Sequence, residues 1–339
     1  MRGIDEQRVT NWFVDNIEGC VPPLAFEPIA GGHSNLTFRV TDAARQVFVL
    51  RRPPLGHVLA TAHDMSREHR LISAIGQTSV PVPRALGLCT DNEVNEAPFY
   101  VMEFVEGVVI DAPEKVDPIA VEVRYRLGLD VVDVLADLHA IDVDAVGLGT
   151  LAKREGYVER QLKRWSSQWD LSKTRELAAV EEVRDVLVSQ VPAQQSMGIA
   201  HGDYRLGNCL VNTVTGRINA VLDWELGTLG DPLADLGYLG VYWSDADAPS
   251  MRLGDATVAG GFPSFDEMVQ RYALRTGLDC SNINYYKAFG AWRLAIISEG
   301  VLARYIHGQM ANEDPDVIAS FRAGAEQLAD SALTLIRKS

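Results

Sequence analysis

The most constraining stretch of this chain is His201-Gly202-Asp203-Tyr204-Arg205-Leu206-Gly207-Asn208-Cys209-Leu210-Val211, followed by Val221-Leu222-Asp223-Trp224-Glu225. Apolar residues lead into or follow each polar cluster, as in short β-strands joined by turns. Such strands can deliver Asp203, Asn208 and Asp223 to one end of a small ribbon. Two carboxylates and a carboxamide are hard oxygen ligands, suited to Mg2+ and its phosphate oxygens. Phosphoryl transfer needs that metal to neutralise charge. It also needs a carboxylate to receive or orient the proton of the attacking hydroxyl. One carboxylate serves both tasks poorly; this segment offers two, with an Asn between them. A lone His-Gly-Asp reads more simply as a polar turn whose Asp and Asn cap backbone groups.

The pattern around this segment has two parts. Before residue 106 the chain is strand-rich, with strands predicted over 26–30, 36–40, 47–51, 85–89 and 99–105. Gly31-Gly32 and Thr41-Asp42-Ala43 separate the first three, and residues 90–96 read as a polar turn. Helical spacing of apolar residues covers 6–19 and 60–76. Beyond 106, helices are predicted over 119–139, 154–169, 175–190, 264–276, 284–306 and 314–337, around a strand–turn–strand section at 199–224. The expectation is an α+β fold of two lobes, residues 1–105 and 106–339, with a hinge near 103–107. A chain of 339 residues is long enough for both.

Charge and cysteine usage exclude several classes. The net charge of −15 opposes a broad nucleic-acid or anionic-membrane surface, though not a local basic pocket. Cys20, Cys89, Cys209 and Cys280 form no CxxC pair, so neither a zinc framework nor a disulfide scaffold is expected. No apolar stretch reaches the ~20 residues of a membrane span, and no signal-peptide core follows the first residues. These features lead to the expectation of a soluble, cytoplasmic protein with no nucleic-acid or membrane partner. Gly147-Leu148-Gly149-Thr150-Leu151-Ala152 fits a dinucleotide fingerprint but follows a helix, not a strand. No GxxxxGK[ST] and no GxSxG occur.

HGDYRLGN followed by LDWE resembles the aminoglycoside phosphotransferase family, a branch of the protein-kinase-like fold. The resemblance implies that Asp203 is the catalytic Asp and that Asn208 and Asp223 hold Mg2+. It places His201 as a support of the catalytic loop and matches Gly230-Asp231-Pro232-Leu233-Ala234-Asp235-Leu236 to the segment after the metal-binding Asp. It implies ATP as the donor, bound between a small β-rich lobe and a larger helical one. The family carries its nucleotide-binding loop where Gly31, Gly32, Ser34 and Asn35 stand, residues whose backbone and side chains suit phosphate contacts. Arg51 stands where the kinase-like fold has a phosphate-pairing Lys, and Glu68 is its expected ion-pair partner. Strand alternation points the adjacent Arg52 to the other sheet face. The backbone of Glu103 and Val105 is the expected adenine contact at the hinge.

The acceptor is less explicit. Val49–Gly56, Arg67–Arg70 and Tyr157–Trp165 are similar to one branch of that family, the kinase-like domain fused to acyl-CoA dehydrogenases in some eukaryotic proteins. That likeness implies a hydroxyacyl-CoA acceptor. Lys153, Arg154, Arg160, Lys163 and Arg164 form a basic stretch, in which Arg160 and Arg164 lie one helical turn apart. Such a patch suits CoA phosphates, although a solvated helix is the simpler reading. Arg293 and Arg304 are further candidate contacts with the acceptor. An aminoglycoside or amino-alcohol kinase, and a non-catalytic nucleotide-binding module, remain open. A protein kinase ranks last, since no DFG or APE occurs. The residues leave open the acceptor, ATP against GTP, and the oligomeric state.

Overall fold

The computed structural model describes residues 2–29, 35–55, 64–244, 255–308 and 314–337. Gly31, Gly32 and Ser34 of the expected nucleotide loop lie outside the described residues. After helix α1 (Glu6–Asn16) come β1 (Ala25–Pro28), β2 (Leu36–Thr41), β3 (Val47–Arg52), α2 (Met65–Ile75), β4 (Ala85–Cys89), α3 (Asn92–Asn95) and β5 (Phe99–Glu103). The strands form one antiparallel sheet in the order β1-β2-β3-β5-β4.

Period-two alternation decides what each face of this sheet does. Phe48 and Leu50 of β3 and Phe99 and Val101 of β5 are buried together with Val9 and Phe13 of α1. The intervening Val49, Arg51, Tyr100 and Met102 fall on the opposite face and line a cleft. Arg51 stands opposite Tyr100 across the strand pair. Arg52 is turned toward the α1 side, where its guanidinium donates to the carbonyls of Gly3 and Pro53.

Helix α2 is capped by Asp64, whose side chain accepts from the Arg67 amide at 3.0 Å. Met65, Glu68, Leu71, Ile72 and Ile75 are its buried stripe. Leu71 and Ile72 pack into a core continuous with the helical half, whereas α1 belongs to a separate cluster. The predicted polar turn at 90–96 contains the single helical turn α3. Asp91 nucleates it by accepting from the Glu93 amide at 2.8 Å, and Glu96 closes it at φ 57°.

The second half contains β6 (Val108–Val109), α4 (Val121–His139), α5 (Tyr157–Ser172), α6 (Ala178–Ser189), β7 (Gly198–Ala200), β8 (Cys209–Asn212), β9 (Arg217–Val221), β10 (Thr228–Gly230), α7 (Pro232–Val241), α8 (Phe265–Thr276), α9 (Ile283–Ile306) and α10 (Pro315–Ile336). β6 pairs with β8 and β8 with β9, giving a three-stranded ribbon. β7 pairs with β10. The two-residue β6 and three-residue β10 were not predicted, because strands this short carry no readable alternation. Among the described residues no helix is long and apolar enough to cross a membrane.

Helix α7 is the centre of this half, and all ten of its residues are buried. Asp231 caps it by accepting from the Leu233 amide at 3.1 Å, and Pro232 occupies its first turn. Glycine lets α9 approach it closely. A Cβ at Gly237 would meet the Tyr286 carbonyl carbon and come within 2.7 Å of the Lys287 nitrogen. Helix propensity alone favours Ala over Gly by ~1 kcal/mol. Backbone cannot retreat as a side-chain tip can, so the sign should reverse. Gly237→Ala is expected to lower stability by ~1–3 kcal/mol, read as a fall in the urea midpoint.

Candidate active site

The cleft of about 1320 Å³ runs between the β3–β5 face and the β8–β9 ribbon. That volume exceeds the ~300–1,000 Å³ of drug-sized pockets, which leaves room for two ligands side by side. Arg51, Tyr100 and Val105 line it from one side, and Arg205, Asn208 and Asp223 from the other.

The segment from His201 to Asn208 leaves β7, turns, and enters β8 through a 3-10 turn at Leu206–Asn208. Asn208 donates Nδ2 to the Asp203 carbonyl at 2.8 Å and to Asp203 Oδ2 at 2.7 Å. That bond fixes the catalytic candidate and leaves the Asn208 Oδ1 as an acceptor. Leu222 N donates to the Asn208 carbonyl at 2.8 Å, which ties Asp223 to the same end of the ribbon. Asp223 itself has φ 67°, a left-handed backbone that a non-glycine residue adopts at a cost of ~1–3 kcal/mol. Strain of this kind persists where surrounding contacts hold it.

His201 acts as a strut. Its Nδ1 accepts from the Asp203 amide at 3.2 Å, so Nε2 carries the proton donated to the Leu222 carbonyl at 2.8 Å. Beneath it, Asp235 of α7 accepts from the His201 amide at 2.6 Å and the Gly202 amide at 2.9 Å. Burial pushes the Asp235 carboxyl up, but His139, His201 and the Gly202 amide outweigh it and hold it below the usual carboxylate range. The GDPLADL run therefore carries two separate duties: Asp231 caps α7, and Asp235 holds the catalytic loop from below.

A second cluster gathers around Arg51. Its Nε lies 2.9 Å from Glu68 Oε2, and Nη2 donates to Asp223 Oδ1 at 2.5 Å. Glu225 Oε2 stands 3.8 Å away. Asn35 donates to Glu68 at 3.1 Å and to Glu225 at 3.2 Å, and the Tyr100 hydroxyl donates to Glu68 at 3.1 Å. Burial pushes the Glu68 carboxyl up to about 7. Asp223 and Glu225 push the same way, while Arg51 and the Tyr100 hydroxyl pull against them. Three carboxylates thus share one guanidinium, an excess of negative charge that a divalent cation would relieve. Asn208 Oδ1 and the second oxygen of Asp223 could serve as hard donors to such a cation. Among the described residues no group of three His, Cys, Asp or Glu side chains forms a metal cage. Two protein ligands suit Mg2+, which takes the rest of its shell from phosphates and water.

Several expected site residues have other duties. Asn35 lines the cleft, but its carboxamide supports the Arg51 cluster, and Glu68 acts through Arg51 from a buried position. Glu103 and Val105 line the cleft as expected, yet the Glu103 amide is bonded to the Arg84 carbonyl at 2.9 Å. Glu103 is therefore no amide donor for a base. Arg293 is a correction: it is 5% exposed, donates to the Gly202 carbonyl at 2.5 Å and lies 4.2 Å from the Tyr238 ring. It holds up the catalytic loop rather than meeting an acceptor. Arg160 and Arg164 are also corrected. Arg160 folds back onto the carbonyls of Lys153 and Glu155, Arg164 lies over Trp165, and neither lines the cleft. Arg304 does line it. Sequence reasoning assigned no role to Glu225, Tyr100 or Arg205, although LDWE and HGDYRLGN contain two of them.

Asp235→Asn turns an amide group toward one of two backbone donors. It should cost ~1–3 kcal/mol, measured by chemical unfolding, and speed hydrogen exchange at 201 and 202.

Comparison with known proteins shows the family and the fold. Residues 25–270 match the family model described as "Phosphotransferase enzyme family". The mouse protein "Acyl-CoA dehydrogenase family member 10" is 35% identical over 287 residues, 83% of this chain and 26% of that protein. The chain thus spans about a quarter of that relative's length. A crystal structure described as a presumed aminoglycoside phosphotransferase from Ralstonia eutropha JMP134 superposes with a TM-score of 0.82 at 33% identity, covering 97% of this chain and 98% of the other. The GDP complex of aminoglycoside 2'-phosphotransferase-IIIa shares the fold, with a TM-score of 0.64 at 13% identity over 96% of this chain and 99% of the other. With its two-lobed kinase-like architecture and a match across most of its length, the chain belongs to the phosphotransferase enzyme family.

Proposed function

We propose that this small-molecule kinase moves the γ-phosphate of ATP, with Mg2+, to a hydroxyl group of its acceptor. The observation that carries this reading is the Asn208 side chain bonded to Asp203 while its backbone is tied to the residue before Asp223. Bound Mg2+ would neutralise charge on the phosphates, held by Asn208 and Asp223. Asp203, 23% exposed, orients the acceptor hydroxyl and takes its proton as the oxygen–phosphorus bond forms. The bond from the γ-phosphorus to the β–γ bridging oxygen breaks, and ADP leaves with that electron pair. Arg51, held by Glu68, meets the nucleotide phosphates. The hinge side, with Val105 and the Glu103 carbonyl, faces the base. The GDP bound to the related aminoglycoside phosphotransferase supports nucleotide use at such a cleft.

A hydroxyacyl-CoA acceptor is favoured by the similarity to acyl-CoA dehydrogenase family members. Loss of the Arg160–Arg164 patch from the cleft leaves that reading without a residue for the CoA phosphates. An ADP-release screen across hydroxyacyl-CoAs, amino alcohols, sugars and aminoglycosides decides among acceptors, with Asp203→Asn as the blank. Asp203→Asn should keep nucleotide affinity and lose ~10²–10⁴-fold in turnover. Turnover equal to wild type would remove Asp203 from its role.

The carboxylate cluster also sets a pH dependence. A cation bound beside Asp223 favours ionised Glu68, so binding releases a proton where Glu68 titrates, about 7. MgATP affinity should therefore rise between pH 6 and pH 8 more steeply in wild type than in Glu68→Gln. Equal slopes in the two proteins, measured by calorimetry, would contradict this assignment.

A further inference from the structure

Of the Arg67-Glu68-His69-Arg70 segment on α2, the site so far uses only Glu68. The helical period gives its neighbours a different task. Arg67, Arg70 and Leu71 are three and four residues apart and share a face of the helix. That face meets the helical half. Arg67 Nε and Nη2 both donate to the Gly227 carbonyl, at 3.2 and 2.9 Å, and Nη1 donates to the Leu151 carbonyl at 3.4 Å. Arg70 Nη2 donates to the Gly147 carbonyl at 2.7 Å and to Thr150 Oγ1 at 3.1 Å. Leu71 packs over the same glycine that Arg67 grips. A Cβ on Gly227 would stand 2.7 Å from Leu71 Cδ1 and 3.0 Å from the Trp224 carbonyl oxygen.

The two arginines end on different segments. Arg70 reaches Gly147 and Thr150, neither of which lines the cleft. Arg67 reaches the far end of the turn that begins at Asp223. Asp223 precedes the 3-10 turn Trp224–Leu226, and the Gly227 amide closes that turn by donating to the Trp224 carbonyl at 2.9 Å. On the near side, Leu222 is fixed by the Asn208 carbonyl and by His201. On the far side, Arg67 holds the Gly227 carbonyl with two N–H groups from one planar edge, just before β10 begins at Thr228. Burial keeps the Arg67 guanidinium below the usual arginine pKa. A half-buried cation set on neutral carbonyls is a costly way to join two segments. What it secures is the main chain beside the strained backbone of Asp223.

We propose that Arg67 is a positioning residue for the metal: by gripping the Gly227 carbonyl, it holds the Asp223–Gly227 turn in the backbone geometry from which Asp223 meets a divalent cation. This deepens the kinase reading and rests on it. The left-handed backbone at Asp223 persists only while its surroundings hold it. Released at one end, the turn relaxes toward a commoner conformation and the carboxylate leaves its place. Glu68 and Arg67 divide the work. Glu68 holds the guanidinium that pairs with the Asp223 side chain, and Arg67 fixes the main chain that carries it. A lysine keeps the charge but has no planar edge to offer two N–H groups to one oxygen.

The test uses the full chain with Arg67→Met, Arg67→Lys and, as the control, Arg70→Met, which frees the same helix from a segment outside the site. Three readings are taken: ATP affinity by calorimetry in EDTA and across a Mg2+ series, the Mg2+ concentration for half-maximal turnover, and hydrogen exchange of the amides at 224–228. Arg67→Met should bind ATP without metal within about twofold of wild type yet need ~10–100-fold more Mg2+ for half-maximal effect. Its 224–228 amides should exchange faster than those of Arg70→Met. Arg67→Lys should fall between wild type and Arg67→Met, and it carries the test where Arg67→Met does not fold. Arg70→Met should keep the wild-type Mg2+ requirement. An unchanged Mg2+ requirement in the Arg67 variants overturns the proposal. So does an equal rise in Arg70→Met, or a loss of metal-free ATP affinity as large as the loss with Mg2+. Wild-type protein that turns over ATP equally well in EDTA overturns the metal assignment and this proposal but leaves the kinase reading standing. Wild-type protein that neither binds nor turns over ATP overturns all three.

Discussion

One guanidinium holds the site together across the cleft. Arg51 comes from the sheet, Glu68 from α2, and Asp223 and Glu225 from the end of the β9 ribbon. These elements lie far apart in the chain, and this cation ties their charged side chains together. Burial makes the charges of Arg51 and Glu68 costly alone, so removing Arg51 would strand Glu68 and leave Asp223 without its bridge. Asn35 and Tyr100 complete the cluster by donating to the same carboxylates. The cluster thereby bridges the two halves of the cleft.

The second support is the buried helix α7. Its Asp235 carboxylate receives two successive amides of the catalytic loop, and Arg293 of α9 donates to the Gly202 carbonyl from the same side. The backbone polar groups at His201 and Gly202 are thus satisfied from within the helical half, while Asn208 and Arg205 line the cleft. Gly237 lets α9, which carries Arg293, pack closely on α7. A catalytic loop with so many internal partners is preorganised, and preorganised charge is the main contribution a protein makes to phosphoryl transfer.

Much of this was legible from local pattern. Asp203, Asn208 and Asp223 were readable because turns and strand alternation leave few places for them to go. Arg51 and Arg52 were separated correctly by period two. Glu68 was readable as the Arg51 partner from the resemblance and from its place on α2. Arg293, Arg160 and Arg164 were misread because a positive charge near the site in sequence says nothing about which carbonyl or ring it meets. The place of Arg205 in the cleft wall was not readable from its motif, since it depends on Tyr242, distant in the chain. Glu103 shows a similar limit: strand propensity marks the hinge, but only the pairing with β4 reveals that its amide is already taken.

Local chemistry along the chain was enough to read the two-part α+β layout and the face of the sheet that meets the cleft. These follow from side-chain type and from the fixed periods of helix and strand, which operate over a few residues. The folded arrangement alone settled which charges are shared, which arginines hold backbone carbonyls and which line the cleft. Those outcomes depend on burial and on contacts between residues distant in the chain, where a shift of about one ångström separates an ion pair from an unpaired charge.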